Sequence, residues 1–343
     1  MKVISVLGID LAKDVFQLHG VDRSGQAVLT KRVKRVRLLE EVSKVKPCLV
    51  AMEACGSSSY WARQFRKLGH EVKLIAPQYV KPFVKTNKND ARDAEAICEA
   101  ALRPTMRFVP VKEVEQQDVQ SLHRIRQSLV RRRVAITNEA RGLFAEYGVR
   151  LGLGAKAFRQ GMERIVAEFG DGIEEVTPRM RQEATKILAR FHEAQREIDE
   201  YDRELQTMAQ QNPICRRLLD IRGVGPLSAT ALVASIGNAK SFKNGRQFAA
   251  WAGLVPKQAS SGNRQILLGI SKQGDRYLRT LLIHGARASL VVKPKTPTRV
   301  SAWAEAIVER RGFNKAAVAL ANKNARMIWA VLAREQDYRV SAA

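Results

Sequence analysis

The chain has 343 residues, 45% of them hydrophobic, which is enough for two or three domains with buried cores and excludes a disordered basic tail. Its 59 Lys and Arg against 34 Asp and Glu give a formal charge of +25, so a polyanionic partner is expected. No window approaches about 18 uninterrupted apolar residues and the N-terminus lacks a signal peptide's apolar core, so a soluble, cytoplasmic protein is expected.

The charge is uneven. Residues 1–100 carry 18 Lys and Arg against 11 acids, residues 101–211 carry 19 against 17, and residues 212–343 carry 22 against 6. The C-terminal third is therefore the main electrostatic footprint. Four cysteines (Cys48, Cys55, Cys98, Cys215) show no CxxC pair and no His spacing suited to zinc, and read as reduced thiols.

In chain order, Val3 to Ile9 reads as a buried strand. Val15 to Val21 alternates like the next strand of a hairpin, and Arg23-Ser24-Gly25 turns the chain into Ala27 to Val33. A strand from Cys48 to Met52, a helix from about Tyr60 to Leu68 and a strand from Glu71 to Ile75 follow. Three strands in hairpin order, then helix, strand and helix, is the element order of an RNase H-like α/β fold. We take residues 1–108 as that domain.

Residues 109–212 read as helical. From Val111 to about Tyr147, Leu122, Ile125, Leu129, Ile136 and Leu143 mark one face, with arginines opposite. Met180, Ala184, Ile187, Phe191, Ala194, Ile198, Tyr201, Leu205 and Met208 then alternate spacings of four and three, the signature of a coiled coil. Pairing with the earlier helix and a dimer seam both satisfy that pattern. Asn212-Pro213 ends it.

Residues 213–343 read as mainly helical with short turns. Leu218 to Thr230 resembles a helix-hairpin-helix. Its Gly223-Val224-Gly225 turn either lets backbone N–H groups approach a phosphate or serves as a glycine turn between packed helices. His284, in an apolar helix, reads as a packed core histidine. Lys293 to Pro297 reads as an exposed basic loop, and Trp303 to Ala333 as two helices parted near Gly312.

Four acids carry the chemistry. Asp10 follows the first strand, Glu53 ends another, and Asp90 and Asp93 stand three apart where a helix begins. Each alone is an ordinary turn or cap residue. Together they differ: charges at the ends of apolar strands need a partner, and i,i+3 spacing puts Asp90 and Asp93 on one helix face. Hard oxygen ligands of this kind favour Mg²⁺, which serves phosphodiester chemistry.

The second constellation is Gly253 to Arg264, containing Ser260-Ser261-Gly262-Asn263. Such a run is most often a plain loop. Its setting is basic, however: Lys257, Arg264, Lys272, Arg276 and Arg279 would bind phosphate and stabilise charge developing on it. No nearby His or carboxylate is an evident base for the serine.

At this point the motifs resemble a known family. Gly8-Ile9-Asp10, Met52-Glu53-Ala54 and Asn89-Asp90-Ala91-Arg92-Asp93-Ala94 are similar to the Asp-Glu-Asp-Asp set of a bacterial insertion-sequence transposase family. In that family a RuvC-like domain is joined through a coiled coil to a separate transposase domain. Ile221 to Gly225, Phe248 to Pro256, Ser260 to Gly262 and Gly269 to Gly274 resemble that second domain.

The resemblance implies a DNA recombinase guided by a structured bridge RNA that pairs with donor and target DNA. It implies Mg²⁺ at Asp10, Glu53, Asp90 and Asp93, and Ser261 as the nucleophile of a phosphoserine intermediate. Ser260 aligns after a one-residue shift. It further implies a homo-oligomer, dimer or tetramer, and a nucleoid-associated location. Two other readings compete: a metal-dependent, junction-resolvase-like nuclease that uses water, and a non-enzymatic RNA- or DNA-binding protein. An actin-like sugar kinase shares the strand ending Gly-Ile-Asp but lacks its counterpart glycine-rich phosphate loops here.

Overall fold

Period-two apolar runs build a six-stranded sheet: β1 (Val6–Asp10), β2 (Val15–Val21), β3 (Ala27–Lys34), β4 (Leu49–Glu53), β5 (Glu71–Ile75) and β6 (Phe108–Val109). Its order is β3-β2-β1-β4-β5-β6, with β1, β4 and β5 mutually parallel and β2, β3 and β6 antiparallel to their neighbours. The computed structural model describes residues 3–84, 90–167, 175–262, 264–292, 294 and 296–339, apart from the side chains of Asp90 and Ala91. The chain divides into two units, residues 1–114 with 236–238, and residues 115–235 with 239–343.

Side-chain alternation gives the sheet of the first unit two different faces. Leu7, Ile9, Phe16, Leu18, Val50, Met52, Val72 and Leu74 pack with Leu38 and Val42 of α1 (Leu38–Ser43) and with Trp61, Ala62 and Phe65 of α2 (Ser58–Lys67). The alternate residues Val6, Val21, Ala51 and Ile75 pack with Val80 of α3 (Pro77–Val80) and with Ala96, Ile97, Cys98, Ala100 and Ala101 of α4 (Asp90–Ala101). Strands β2 and β5 have their expected bounds. β1 starts at Val6, not Val3, which is 62% exposed. The two-residue β6 was not foreseen, being too short to show a period.

The second unit is mostly helical. α5 (Val114–Ala145) and α7 (Pro178–Gln211) lie antiparallel, with α6 (Ala155–Val166) beside them. Their direction is visible in the cross-links: Arg126 bonds Asp202, Arg133 bonds Gln195, and Arg190 bonds Glu139, so the numbers rise on one helix as they fall on the other. Ala184, Ile187, Phe191 and Ala194 share a core with Ile136, Ala140 and Phe144. That part of the heptad seam is thus filled within the chain.

The expected face of α5 needs correction. Ile125 and Leu143 are 44% and 42% exposed, and the buried stripe runs through His123, Leu129, Ile136, Ala140 and Phe144. A straight helix drifts about 20° per heptad, so a stripe drawn at a strict seven-residue spacing slides off the packed side.

The chain continues through α8 (Pro213–Leu219), α9 (Pro226–Ile236), α10 (Gly245–Trp251), an antiparallel hairpin of β7 (Pro256–Gln258) and β8 (Leu267–Ile270), then α11 (Arg276–Val291), α12 (Arg299–Arg311) and α13 (Phe313–Arg334). The expected helical pair with a short glycine turn is present as α8 and α9, and Gly312 (φ 82°) parts α12 from α13. The β-hairpin replaces what the sequence suggested was a loop among helices.

Candidate functional site

Asp10 and Glu53 close the parallel strands β1 and β4. The register runs Gly8↔Ala51 and Ile9↔Met52, so the two acids occupy the next matched positions, on strands about 5 Å apart. Alternation puts them on the face that also carries Gly8 and Ala51, the face covered by α4. Asp10 is opposite Gln17 on β2, and both acids are half-buried.

Gly8 sets how closely α4 lies on that face. A Cβ there would fall on the carbonyl oxygen of Ala94 and lie 2.8 Å from Cys98 Sγ. The Cys98 thiol accepts from the Gly8 N–H at 3.0 Å and donates to the His19 carbonyl at 3.1 Å, tying α4 to β1 and β2. Burial pushes this thiol up to about 12, so it stays protonated and makes both bonds. Since Cys98 also reaches the Val6 carbonyl while Ala94 sits over Gly8, α4 runs opposite to β1. Its first turn, with half-buried Asp93, therefore lies toward the strand end bearing Asp10.

Asp90 begins the same helix, and its side chain lies outside the described residues. Among the described residues no cluster of three or more His, Cys, Asp or Glu side chains is close enough to hold a metal ion. What the fold brings together is the pair Asp10 and Glu53, on the face of the sheet that α4 covers. Their joint negative field is felt by Cys55, whose thiol is pushed up first by burial and then by Glu53 and Asp10. His19, on the same face, is pushed down by burial, with Glu95 acting against it.

The serine segment lies in the second unit. The Ala259 N–H donates to the Ile266 carbonyl at 3.0 Å, and Ser261 and Arg264 exchange backbone bonds at 3.2 and 3.1 Å, so the β7–β8 hairpin narrows to a tip at Ser261-Gly262. Gly262 (φ 53°) supplies the left-handed residue. Ser260 and Ser261 are both exposed, as are Lys257, Arg264, Lys272 and Arg276. Asn263 lies outside the described residues.

The base of the hairpin is clamped. A Cβ on Gly253 would strike the Gln273 carbonyl, and one on Gly274 the Trp251 carbonyl, so the two backbones touch only because both residues are glycine. Arg279 is 8% exposed and donates to the carbonyls of Gln273 at 2.9 Å and Ala252 at 3.4 Å. The sequence grouped Arg279 with the phosphate-binding residues. The structure has its guanidinium inside, satisfying loop carbonyls. Gly223 (φ 88°) is likewise packed: a Cβ would lie 2.5 Å from Ser289 Oγ, and one on Gly285 of α11 would hit the Gly223 carbonyl. Space is open around Gly225. His284, expected in the core, is exposed, because the buried stripe of α11 is Leu278, Leu282 and Ala286 and residue 284 falls off it.

Sequence reasoning missed a polar relay in this unit. The single proton of the Thr230 hydroxyl goes to the Pro226 carbonyl at 2.8 Å, so Thr230 Oγ1 accepts from His123 Nε2 at 3.0 Å. His123 Nδ1 then accepts from the Tyr277 hydroxyl at 2.9 Å, and Arg126 bonds both that hydroxyl and Asp202. The relay joins α5, α7, α9 and α11. Burial, with Arg126 adding to it, pushes His123 down to about 4 and keeps it neutral. No short motif signals such a network, because its members come from four separated helices.

Comparison with known proteins places both parts of the chain in one family. Residues 7–149 match a transposase family model of the DEDD type, and residues 215–301 match the model described as Transposase IS116/IS110/IS902 family. The chain is 50% identical to the transposase for insertion sequence element IS1111A of Coxiella burnetii, over 100% of this chain and 93% of that protein. It is also 50% identical to a probable family 20 transposase of Pseudomonas aeruginosa, over 98% and 99% of the two chains. A transposase for insertion sequence element IS1328 of Yersinia enterocolitica is 38% identical over 96% and 97%. With acids at matched strand ends, a clamped serine hairpin and likeness along its whole length, the chain belongs to the IS110/IS116/IS902 family of insertion-sequence transposases.

Proposed function

We propose that this protein cuts and rejoins DNA through a phosphoserine intermediate at Ser261, with the carboxylates of an RNase H-like domain holding a divalent metal ion, and that a bridge RNA directs it to donor and target DNA. The observation that carries this reading is the placement of Asp10 and Glu53 side by side at the ends of parallel strands, on the face covered by α4, the helix that carries Asp93. The strand order β3-β2-β1-β4-β5 supports the RNase H-like assignment.

The donor set suits a hard cation, since carboxylate oxygens come from two strand ends and a helix start. Asp10, Glu53, Asp93 and Asp90 would hold Mg²⁺, which when bound neutralises charge developing on a phosphate. The chain's own part is to supply the nucleophile. At the hairpin, the Ser261 hydroxyl gives up its proton and its oxygen attacks phosphorus. A P–O(Ser) bond forms as a phosphodiester P–O bond breaks, freeing one hydroxyl-ended strand. A second strand's hydroxyl then displaces the serine, restoring Oγ–H and leaving a new DNA junction. Arg264 at the tip and Lys257, Lys272 and Arg276 toward the hairpin base, all exposed, suit charge stabilisation at that phosphate. Arg279, bonded to loop carbonyls, serves to hold the hairpin base.

The test is strand cleavage and joining of element-end DNA with Mg²⁺, with and without the co-expressed RNA. Wild-type protein should form joined product only with RNA present, and Asp93→Asn should abolish it. Undiminished joining by Asp93→Asn would remove Asp93 from the site, and joining without RNA would remove the guide.

A further inference from the structure

Away from the serine hairpin, α10 begins against the backbone of α13. A Cβ on Gly245 would lie 3.1 Å from both the Cα and the carbonyl oxygen of Arg326. The missing side chain lets the two helices touch and sets Arg246 beside α13, on the wall of a cleft of about 470 Å³ that Lys323, Arg326 and Trp329 also line. Lys323 Nζ lies 4.2 Å from the centre of the Trp303 ring, which steadies it from one side. The Trp329 indole N–H is spent on the Ala239 and Phe242 carbonyls, which ties that wall to the segment before α10.

Three cations thus converge on one cleft, and among the described residues none of them takes part in an ion pair. The Lys323 ammonium is pushed down first by burial, then by its neighbours Arg326 and Arg299. A fold that gathers like charges without a counter-charge is completed by an anion. Arg forks beside a Lys point charge suit phosphate oxygens. The surrounding third of the chain, with 22 Lys and Arg against 6 acids, favours a polyanion over an isolated ion.

We propose that Arg246, Lys323 and Arg326 form a backbone-binding cleft for a nucleic-acid strand, a contact separate from the basic residues around Ser261. This rests on the reading of the protein as a nucleic-acid enzyme. The cleft carries phosphate contacts and no base readout, so it adds affinity without sequence preference.

The test is a salt titration of binding by the full chain, wild type against the R246Q/K323Q/R326Q variant, with element-end duplex DNA and with a single-stranded RNA as the two probes. Each lost phosphate contact should flatten the log Kd against log salt slope by about 0.9 for duplex or about 0.7 for single strands. For three contacts on duplex, wild type should lose about 40-fold more affinity than the variant between about 50 and 200 mM salt. A control variant, R310Q/R311Q/K315Q, removes the same charge from the end of α12 and the start of α13 and should leave the slope near wild type. R246Q/R326Q, altering two exposed side chains, keeps the test open if Lys323→Gln disturbs the fold, with a flattening of about 1.8 on duplex. Flattening with duplex alone assigns the cleft to DNA, and with RNA alone to RNA. Unchanged slopes on both probes, or an equal effect of the control, would overturn the proposal. Failure of wild type to bind either probe would overturn the nucleic-acid reading itself.

Discussion

Gly8→Ala tests how the acid site is assembled. The added methyl would meet Cys98 Sγ at 2.8 Å and collide with the Ala94 carbonyl, where ordinary contact needs about 3.5–4.0 Å. Strand β1 is fixed by pairing on both sides, to β2 and β4, so α4 is the element that recedes, by roughly 1 Å. Overpacking of this kind costs about 1–3 kcal/mol. On the proposed reading the larger consequence is for chemistry, because the first turn of α4, which carries Asp93, moves with the helix. A 1 Å misplacement of a catalytic group costs on the order of 100-fold in rate. The assay pairs a urea unfolding midpoint with the rate of DNA strand cleavage for Gly8→Ala, Cys98→Ala and the double variant. The thiol half of the clash is relieved in the double variant, which should therefore be less impaired than the two single effects added together. Wild-type rate and midpoint in Gly8→Ala would show that α4 does not set the site.

The second unit gives two more. Gly285→Ala drives a methyl into the Gly223 carbonyl, so the unfolding midpoint should fall by the equivalent of about 1–3 kcal/mol, while Gly225→Ala, with open space around it, should cost less. A Gly285→Ala protein as stable as wild type would contradict the close packing of α11 on the turn. His123 offers a pH signature. Its native value of about 4 lies below the ordinary 6.5, so the unfolded chain binds the proton first, and stability should fall as pH drops from about 6.5 toward 4. From pH 7.5 to 5 that loss amounts to about 2 kcal/mol, which His123→Asn should lack, so the gap between the two proteins should narrow by that amount. A constant gap across the range would show that His123 is not held neutral.

Much of the first unit was legible because its signals are local. The bounds of β2 and β5 follow from alternation and turn residues, and the strand-end positions of Asp10 and Glu53 follow from charge after an apolar run. The closeness of α4 was less legible, although a glycine within an apolar strand is a known sign of backbone approach, and Gly8 and Cys98 lie 90 residues apart. The coiled-coil period of α7 was plain, but its partner became visible only through the Arg126, Arg133 and Arg190 cross-links to and from α5. Arg279 illustrates a limit of composition. A guanidinium among basic neighbours reads as a phosphate ligand, and only the geometry of the Ala252 and Gln273 carbonyls shows it satisfied within the loop. His284 shows the opposite error, since an apolar neighbourhood in sequence does not put a residue on the buried stripe of its helix.

The most direct test of the central claim is the covalent link itself. Protein incubated with element-end DNA, Mg²⁺ and RNA, then resolved on a denaturing protein gel, should yield a DNA-shifted band. The band should persist in Ser260→Ala and vanish in Ser261→Ala, with DNA binding retained. Cleaved DNA with free ends and no shifted band would contradict the account and leave a water-using nuclease in its place.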